Sequence, residues 1–175
     1  MIDRSALEDS LYAWADAVLS VPVIFAEQGG PRPSVPYITI KVRAPTMTGP
    51  LEEAPPDSNR DQETRIYYEV PVSIQLFGSG AMDRATKLQF SLGKSADGPG
   101  YTLSQAGLSH LRTDGMDDIT ELVDTEWEER VSLDLIFMHQ ATETDAVDTI
   151  EHVNNADGTI KGSITSPNKI DLDVN

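Results

Sequence analysis

Cysteine is absent from the 175-residue chain. That excludes disulfide frameworks, cysteine–zinc sites, thiol catalysis and iron–sulfur clusters. Basic residues are scarce: 13 Lys and Arg stand against 29 Asp and Glu, a formal net charge of −16. A surface that acidic repels phosphate, which disfavours free nucleic-acid binding and a membrane partner of anionic lipid. Long apolar runs are also missing; none approaches the roughly 18–20 residues that span a bilayer. Asp3, Glu8, Asp9 and Asp16 fall within the first twenty residues, where a signal peptide would carry none. What is present is ordinary globular material, 39% hydrophobic and 24% charged, enough for one packed domain with an appendage. The expectation is a soluble acidic domain made and kept in a cytoplasm.

Local pattern supplies the elements. Leu7, Leu11, Trp14, Ala15, Val18 and Leu19 recur at helical spacing, Asp3 or Ser5 can cap the start, and Pro22 stops the helix near 20–21. A short β run at 23–26 leads through a Gly- and Pro-rich connector to alternation over 37–43. Residues 45–62 hold four prolines and no periodicity, which predicts a long exposed loop. Ile66, Tyr68, Val70, Val72, Ile74 and Leu76 then alternate strictly, with Pro71 arguing for an edge or a bulge. A helix follows, capped by Ser79 or Gly80, with Ala81, Ala85, Leu88 and Leu92 as its buried stripe and Gly93 as its stop. Residues 96–107 read as irregular with one helical turn near Leu103. Strands are expected over 119–123 and 127–138, the latter burying Val131, Leu133, Leu135 and Phe137. Past His139 aromatics vanish, and Asn154-Asn155-Ala156-Asp157-Gly158 reads as a hairpin turn between 149–153 and 159–165. The expected fold class is α+β: an antiparallel or mixed sheet with two main helices packed on it. A core over 1–139 then carries a β-hairpin extension and tail over 140–175.

Fragments that resemble active sites do not survive scrutiny. Gly78-Ser79-Gly80-Ala81-Met82-Asp83 follows a strand and opens a helix, as a dinucleotide-binding turn does, but Asp83 would repel a pyrophosphate. Around Ser109 and His110 the nucleophile-elbow pattern lacks its final glycine. His110, His139 and His152 share no metal-ligand spacing, and the acids near Asp117 lack the calcium-loop pattern. No catalytic residue, metal or cofactor is expected. The densest charge is eight acids and no base between Asp114 and Glu129. Such runs are usually solvated surface. The sharper reading is an acidic wall, with Asp114, Asp117, Asp118 and Glu121 in it, past which something negatively charged moves without sticking.

The string Trp14…Pro22-Val23-Ile24-Phe25-Ala26-Glu27-Gln28-Gly29-Gly30-Pro31-Arg32-Pro33…Pro36-Tyr37-Ile38-Thr39-Ile40 resembles the neck terminator family of tailed phages. Val72-Ser73-Ile74-Gln75-Leu76-Phe77-Gly78 with the following helix, and Glu129-Arg130-Val131…Leu133-Asp134-Leu135, resemble later parts of the same family over about 10–139. The resemblance implies a structural virion protein, not an enzyme. It implies an α+β protomer that assembles with itself into a ring, most simply a hexamer, at the head–tail junction. The ring would cap the tail tube and join it to the head–tail connector, with sheath or collar proteins nearby and DNA passing without specific binding. Assembly would take place in the host cytoplasm. Arg32, Lys41 and Arg43 form the densest early basic cluster and are the expected contacts to an acidic face of the next subunit. The alternative of a different class is an acidic intracellular adaptor that binds a basic protein. A small hydrolase using the 114–129 carboxylates is a distant third.

Overall fold

The computed structural model describes residues 3–93, 98–146, 150–156 and 159–164. Helix α1 (Arg4–Leu19) begins where the Asp3 carboxylate accepts hydrogen bonds from the Ser5 and Ala6 amides at 3.0 and 3.2 Å. These are donors that a helix start leaves without partners. Its buried stripe is the one read from the spacing, Leu7 through Leu19, and Ser20 closes it in the left-handed region at φ 52°. The chain continues through β1 (Val23–Phe25), β2 (Tyr37–Val42), β3 (Thr46–Glu53) and β4 (Asp61–Phe77) to α2 (Ala81–Leu92) and α3 (Pro99–Gln105). Then follow β5 (Leu108–Asp118), β6 (Glu121–Val123), β7 (Glu126–Glu128), β8 (Arg130–Ala146), β9 (Ile150–Ala156) and β10 (Thr159–Ile164).

Six strands form one mixed sheet in the order β1-β2-β4-β8-β5, with β3 also paired to β4. β1 runs parallel to β2, and β2 antiparallel to β4 with Tyr37 opposite Phe77. β8 lies antiparallel to β4, since Gly78 N donates to Glu129 O at 2.8 Å while Ser73 meets Asp134. The α+β expectation therefore holds. One sheet face buries Ile38, Ile40, Val70, Val72, Ile74, Leu76, Leu133, Leu135 and Phe137 in a common cluster with the stripes of α1 and α2. Among the described residues no helix is long and apolar enough to cross a membrane.

Three local expectations need correction. The stretch 45–62 is not one long loop: 46–53 form β3 and β4 already begins at Asp61, although β3 is exposed nearly throughout. Residues 108–118, assigned to no element from the sequence, form β5, and a full helix α3 stands where one turn was expected. Pro71 lies inside an interior strand, but opposite the break between β2 and β3. There Arg43 N donates to Pro71 O at 2.9 Å, so the missing proline N–H faces a gap in the ladder.

The chain divides into two compact units, 1–49 with 66–141 and 50–65 with 142–175. In the second, Ala54 N donates to Glu63 O at 2.8 Å, and the Asp57 carboxylate accepts from the Asn59 and Asp61 amides at 2.8 and 2.9 Å. Those bonds shape the turn that joins β3 to β4. β9 and β10 pair antiparallel from Ala156–Thr159 onward, which is the expected hairpin. The Asp157-Gly158 turn residues and the tail over 165–175 lie outside the described residues.

The helices and the sheet meet at Trp14. Its indole N–H donates to Ser91 Oγ at 2.9 Å, Ser91 in turn donates to Leu88 O at 2.6 Å, and the ring meets Phe137 edge-on at 6.4 Å. Gly100 of α3 packs so closely behind this point that a Cβ there would lie 2.4 Å from the Ser91 carbonyl oxygen. Ser91→Ala orphans a buried donor and is expected to cost about 1–3 kcal/mol. Gly100→Ala must displace backbone and is expected to cost about as much or more. Urea unfolding followed by tryptophan fluorescence measures both; a loss below half a kilocalorie for either would show that the Trp14 pocket relaxes freely.

Candidate functional site

The sheet face turned away from the helices is polar and open to solvent. On it Lys41 stands opposite Ser73, Thr39 opposite Gln75, and Asp117 opposite Ser132. The structure thus brings Lys41 and Arg43 onto the same face as Asp117, so the basic and acidic candidates are not segregated. Each basic candidate already has a partner in its own chain. Lys41 meets Glu27 at 2.6 Å, and Arg43 meets Asp134 at 3.3 Å beside Ser73, whose hydroxyl donates to Asp134 at 2.6 Å. Lys41 holds the exposed Glu27 carboxyl below its usual range, first by the hydrogen bond and then by its charge.

Arg32 is placed more deliberately. Tyr37 and Phe77 stack at 4.5 Å with ring planes 6° apart, and the Arg32 guanidinium lies 5.4 and 5.5 Å from the two ring centroids. Arg130 approaches Phe77 as well, at 4.9 Å. Glu128 accepts from both cations: Arg32 binds one carboxylate oxygen and Arg130 the other, the latter at 2.7 Å. Arg130 also pairs with Glu121. The stacked pair with its two guanidinium groups is a cation–aromatic arrangement, of a kind that holds a planar cation in register. Burial pushes the Glu128 carboxyl up, but the hydrogen bonds from Arg130 and Arg32 outweigh it and hold the group below its usual range.

Glu129 closes the knot from the other side. Its carboxylate accepts from Gly80 N at 2.8 Å. Gly80 is the N-cap of α2, one of the two positions expected, and having no side chain it makes no side-chain cap bond of its own. Arg84 ties the same corner by donating to the Phe77, Gly78 and Ser79 carbonyls. Sequence reasoning missed Glu128, Glu129 and Asp134 as organising residues. Their partners lie 96, 49 and 91 positions away, and no local spacing announces such pairs.

The acidic candidates divide by partner. Asp114 sits at a register shift of β5 and pairs with Arg112 at 2.8 Å, while Arg112 also reaches Glu69 at 3.0 Å. Asp118 accepts from the Thr120 hydroxyl and amide, at 2.5 and 2.9 Å, and these hold its carboxyl below the usual range. Glu121 belongs to Arg130. Asp117, Asp124 and Glu126 have no cationic partner among the described residues. His110 packs edge-on to Phe137 at 5.9 Å, where burial lowers its pKa, and His139 contacts Gly107 O at 3.0 Å. The side chain of His152 lies outside the described residues. Among the described residues no three His, Asp or Glu side chains gather as a metal site requires.

A mixed sheet with helices on one face and an open, charge-paired surface on the other defines an α+β fold. The chain belongs to the phage neck terminator protein family, whose sequence profile matches residues 5–163. No curated protein matches the sequence. The family gives the chain a structural role in the neck of a phage virion.

The lowered Glu128 pKa carries a pH signature. A carboxyl depressed in the folded state stabilises above its unfolded value, and that contribution is lost as pH falls through the folded one. Wild-type protein is therefore expected to lose melting temperature more steeply than Glu128→Gln below the ordinary value of 4.5. Near neutral pH the variant melts lower. Circular dichroism melts across that range test this; parallel curves would remove Glu128 as the linked group.

Proposed function

We propose that the chain assembles as a closed ring at the head–tail junction, most simply of six copies, which stops tail-tube growth and docks the tube to the head connector. Membership in the neck terminator family carries this reading. Its mechanism is geometric, with no bond made or broken. The acids Asp114, Asp117, Asp118 and Glu121 suit a lumen wall, because like charge keeps passing DNA from adhering. A chain with a formal charge of −16 arranged around an axis raises that repulsion further. Lys41 and Arg43 suit the subunit boundary: their present pairs are exposed, and such pairs contribute about 0–1 kcal/mol. Exchanging Glu27 or Asp134 for a neighbour's carboxylate costs little. The tube and connector proteins complete the assembly, with sheath or collar proteins as further neighbours, in the host cytoplasm.

Light scattering over a concentration series, with negative-stain images of the same fractions, tests the ring. Six copies of a 19.1 kDa chain give about 115 kDa and a central hole. Arg43→Glu is expected to lower the assembled fraction; a monomer at every concentration argues instead for an adaptor that binds a basic partner.

A further inference from the structure

The β6–β7 hairpin carries two large hydrophobic side chains in solvent. Trp127 is 73% exposed, and its cross-strand partner Leu122 is 55% exposed. An isolated two-stranded hairpin is marginal in water, yet this one is anchored at its base. Arg130 bonds Glu121 and Glu128 on its two strands, Ile119 N donates to Arg130 O at 2.9 Å, and Arg130 N donates to Thr120 Oγ1 at 3.3 Å. A tryptophan presented to solvent on a hairpin fixed at its base is a ready anchor for a partner, because less of the hairpin's ordering entropy remains to be lost on binding. Asp124 and Glu126, which have no cationic partner among the described residues, flank it.

A complementary patch lies on the outer face of α2. Met82, Thr86 and Phe90 recur every fourth residue, so they share one stripe; Phe90 is 70% exposed and Met82 38%. Lys87 borders a shallow groove formed with Asp83, Thr86, Phe90 and Gly93. Neither an ion pair nor a hydrogen bond of the Lys87 side chain is seen among the described residues. The hairpin lies beside Gly78 and Ser79, at the start of α2. Phe90 is in the last turn, roughly 15 Å further along the helix axis at 1.5 Å per residue. The two patches are therefore separate on the protomer.

We infer that the Trp127 hairpin of one copy docks on the Phe90–Lys87 face of α2 in the next, with Trp127 against the apolar stripe and Glu126 or Asp124 against Lys87. A contact between two different patches is heterologous, and repeated with a closing rotation it generates a ring. The edge strand β5 offers a poorer joint. Its two register shifts, between His110 and Arg112 and between Thr113 and Gly115, interrupt the ladder that edge-to-edge pairing needs.

This inference rests on the ring reading, and the absence of cysteine makes the two separable. Trp127→Cys and Phe90→Cys are prepared as single variants, mixed, and oxidised under conditions where light scattering shows the wild-type assembled. The expected product is a disulfide-linked dimer in the mixture but not in either variant alone, and a covalent ladder from the double variant. Trp127→Ala is expected to weaken assembly about thirtyfold or more, as loss of a central aromatic anchor does. Lys87→Glu with Glu126→Lys is expected to restore what either single reversal loses. Assembly that persists without cross-linking overturns the hairpin contact and leaves the ring standing. A wild-type chain that remains at 19.1 kDa throughout overturns both.

Discussion

The buried hydrogen bond from Trp14 to Ser91 is the constraint around which the first unit is arranged. An indole N–H out of water needs an acceptor, and an unpaired one costs about 1–3 kcal/mol. The acceptor here is a serine on a different helix, 77 residues away. Trp14 therefore fixes not just the depth of α1 but its rotation relative to α2. Phe137 meets the same ring from the sheet, and Gly100 brings α3 against the Ser91 carbonyl. Three helices and β8 thus take their positions from one polar contact inside an otherwise apolar cluster. Leucines alone would allow α1 to slide or turn by a fraction of a residue; a directional bond does not.

Surface chemistry follows from the scarcity of base. With 13 cations for 29 acids, each Arg must serve several groups or leave acids uncompensated. Arg130 bonds Glu121 and Glu128 and sits against Phe77; Arg112 holds Glu69 and Asp114. Arginine suits this because its planar fork presents several donors and stacks on a ring at the same time, whereas lysine offers a point charge. Among the acids left over are Asp117 on the open face and Asp124 and Glu126 on the hairpin tip. Their mutual repulsion keeps those places hydrated unless a partner supplies the cation.

Elements with one buried face were legible: α1, β2, the core of β4, α2 and the first half of β8 all show the period of their structure, since burial selects every second or every third-to-fourth residue. β3 was not, because 46–53 pair through the backbone while almost every side chain faces water, and no side-chain pattern is then imposed. β5 was not, because each of its two register shifts reverses the phase of its alternation. Of the candidate site, Arg32, Lys41 and Arg43 were visible as unusual bases in an acidic chain. Their partners Glu128, Glu27 and Asp134 were not, since contacts across the fold follow the whole topology and not the local sequence. The exposed Trp127 was read as the start of a core strand for the same reason: its neighbours alternate correctly, and only the placement of β6 beside β7 lifts it into solvent.

In the proposed ring, irregular edges and an exposed anchor are two sides of one problem. A subunit of the proposed ring, which must meet copies of itself yet stay apart until assembly begins, gains from edges that do not template pairing. The shifts in β5 provide that on one side of the sheet, and β1, three residues long, provides it on the other. Cohesion then has to come from side chains, where recognition depends on shape and charge together. With strong net negative charge, copies repel at long range, over roughly the 8–10 Å reach of charge in physiological salt. In the proposed joint, association through a hydrophobic anchor beside Lys87 would work within that distance. It favours the single orientation in which Lys87 meets an acid and penalises those in which acids meet acids, so that repulsion selects the joint which attraction alone would leave ambiguous.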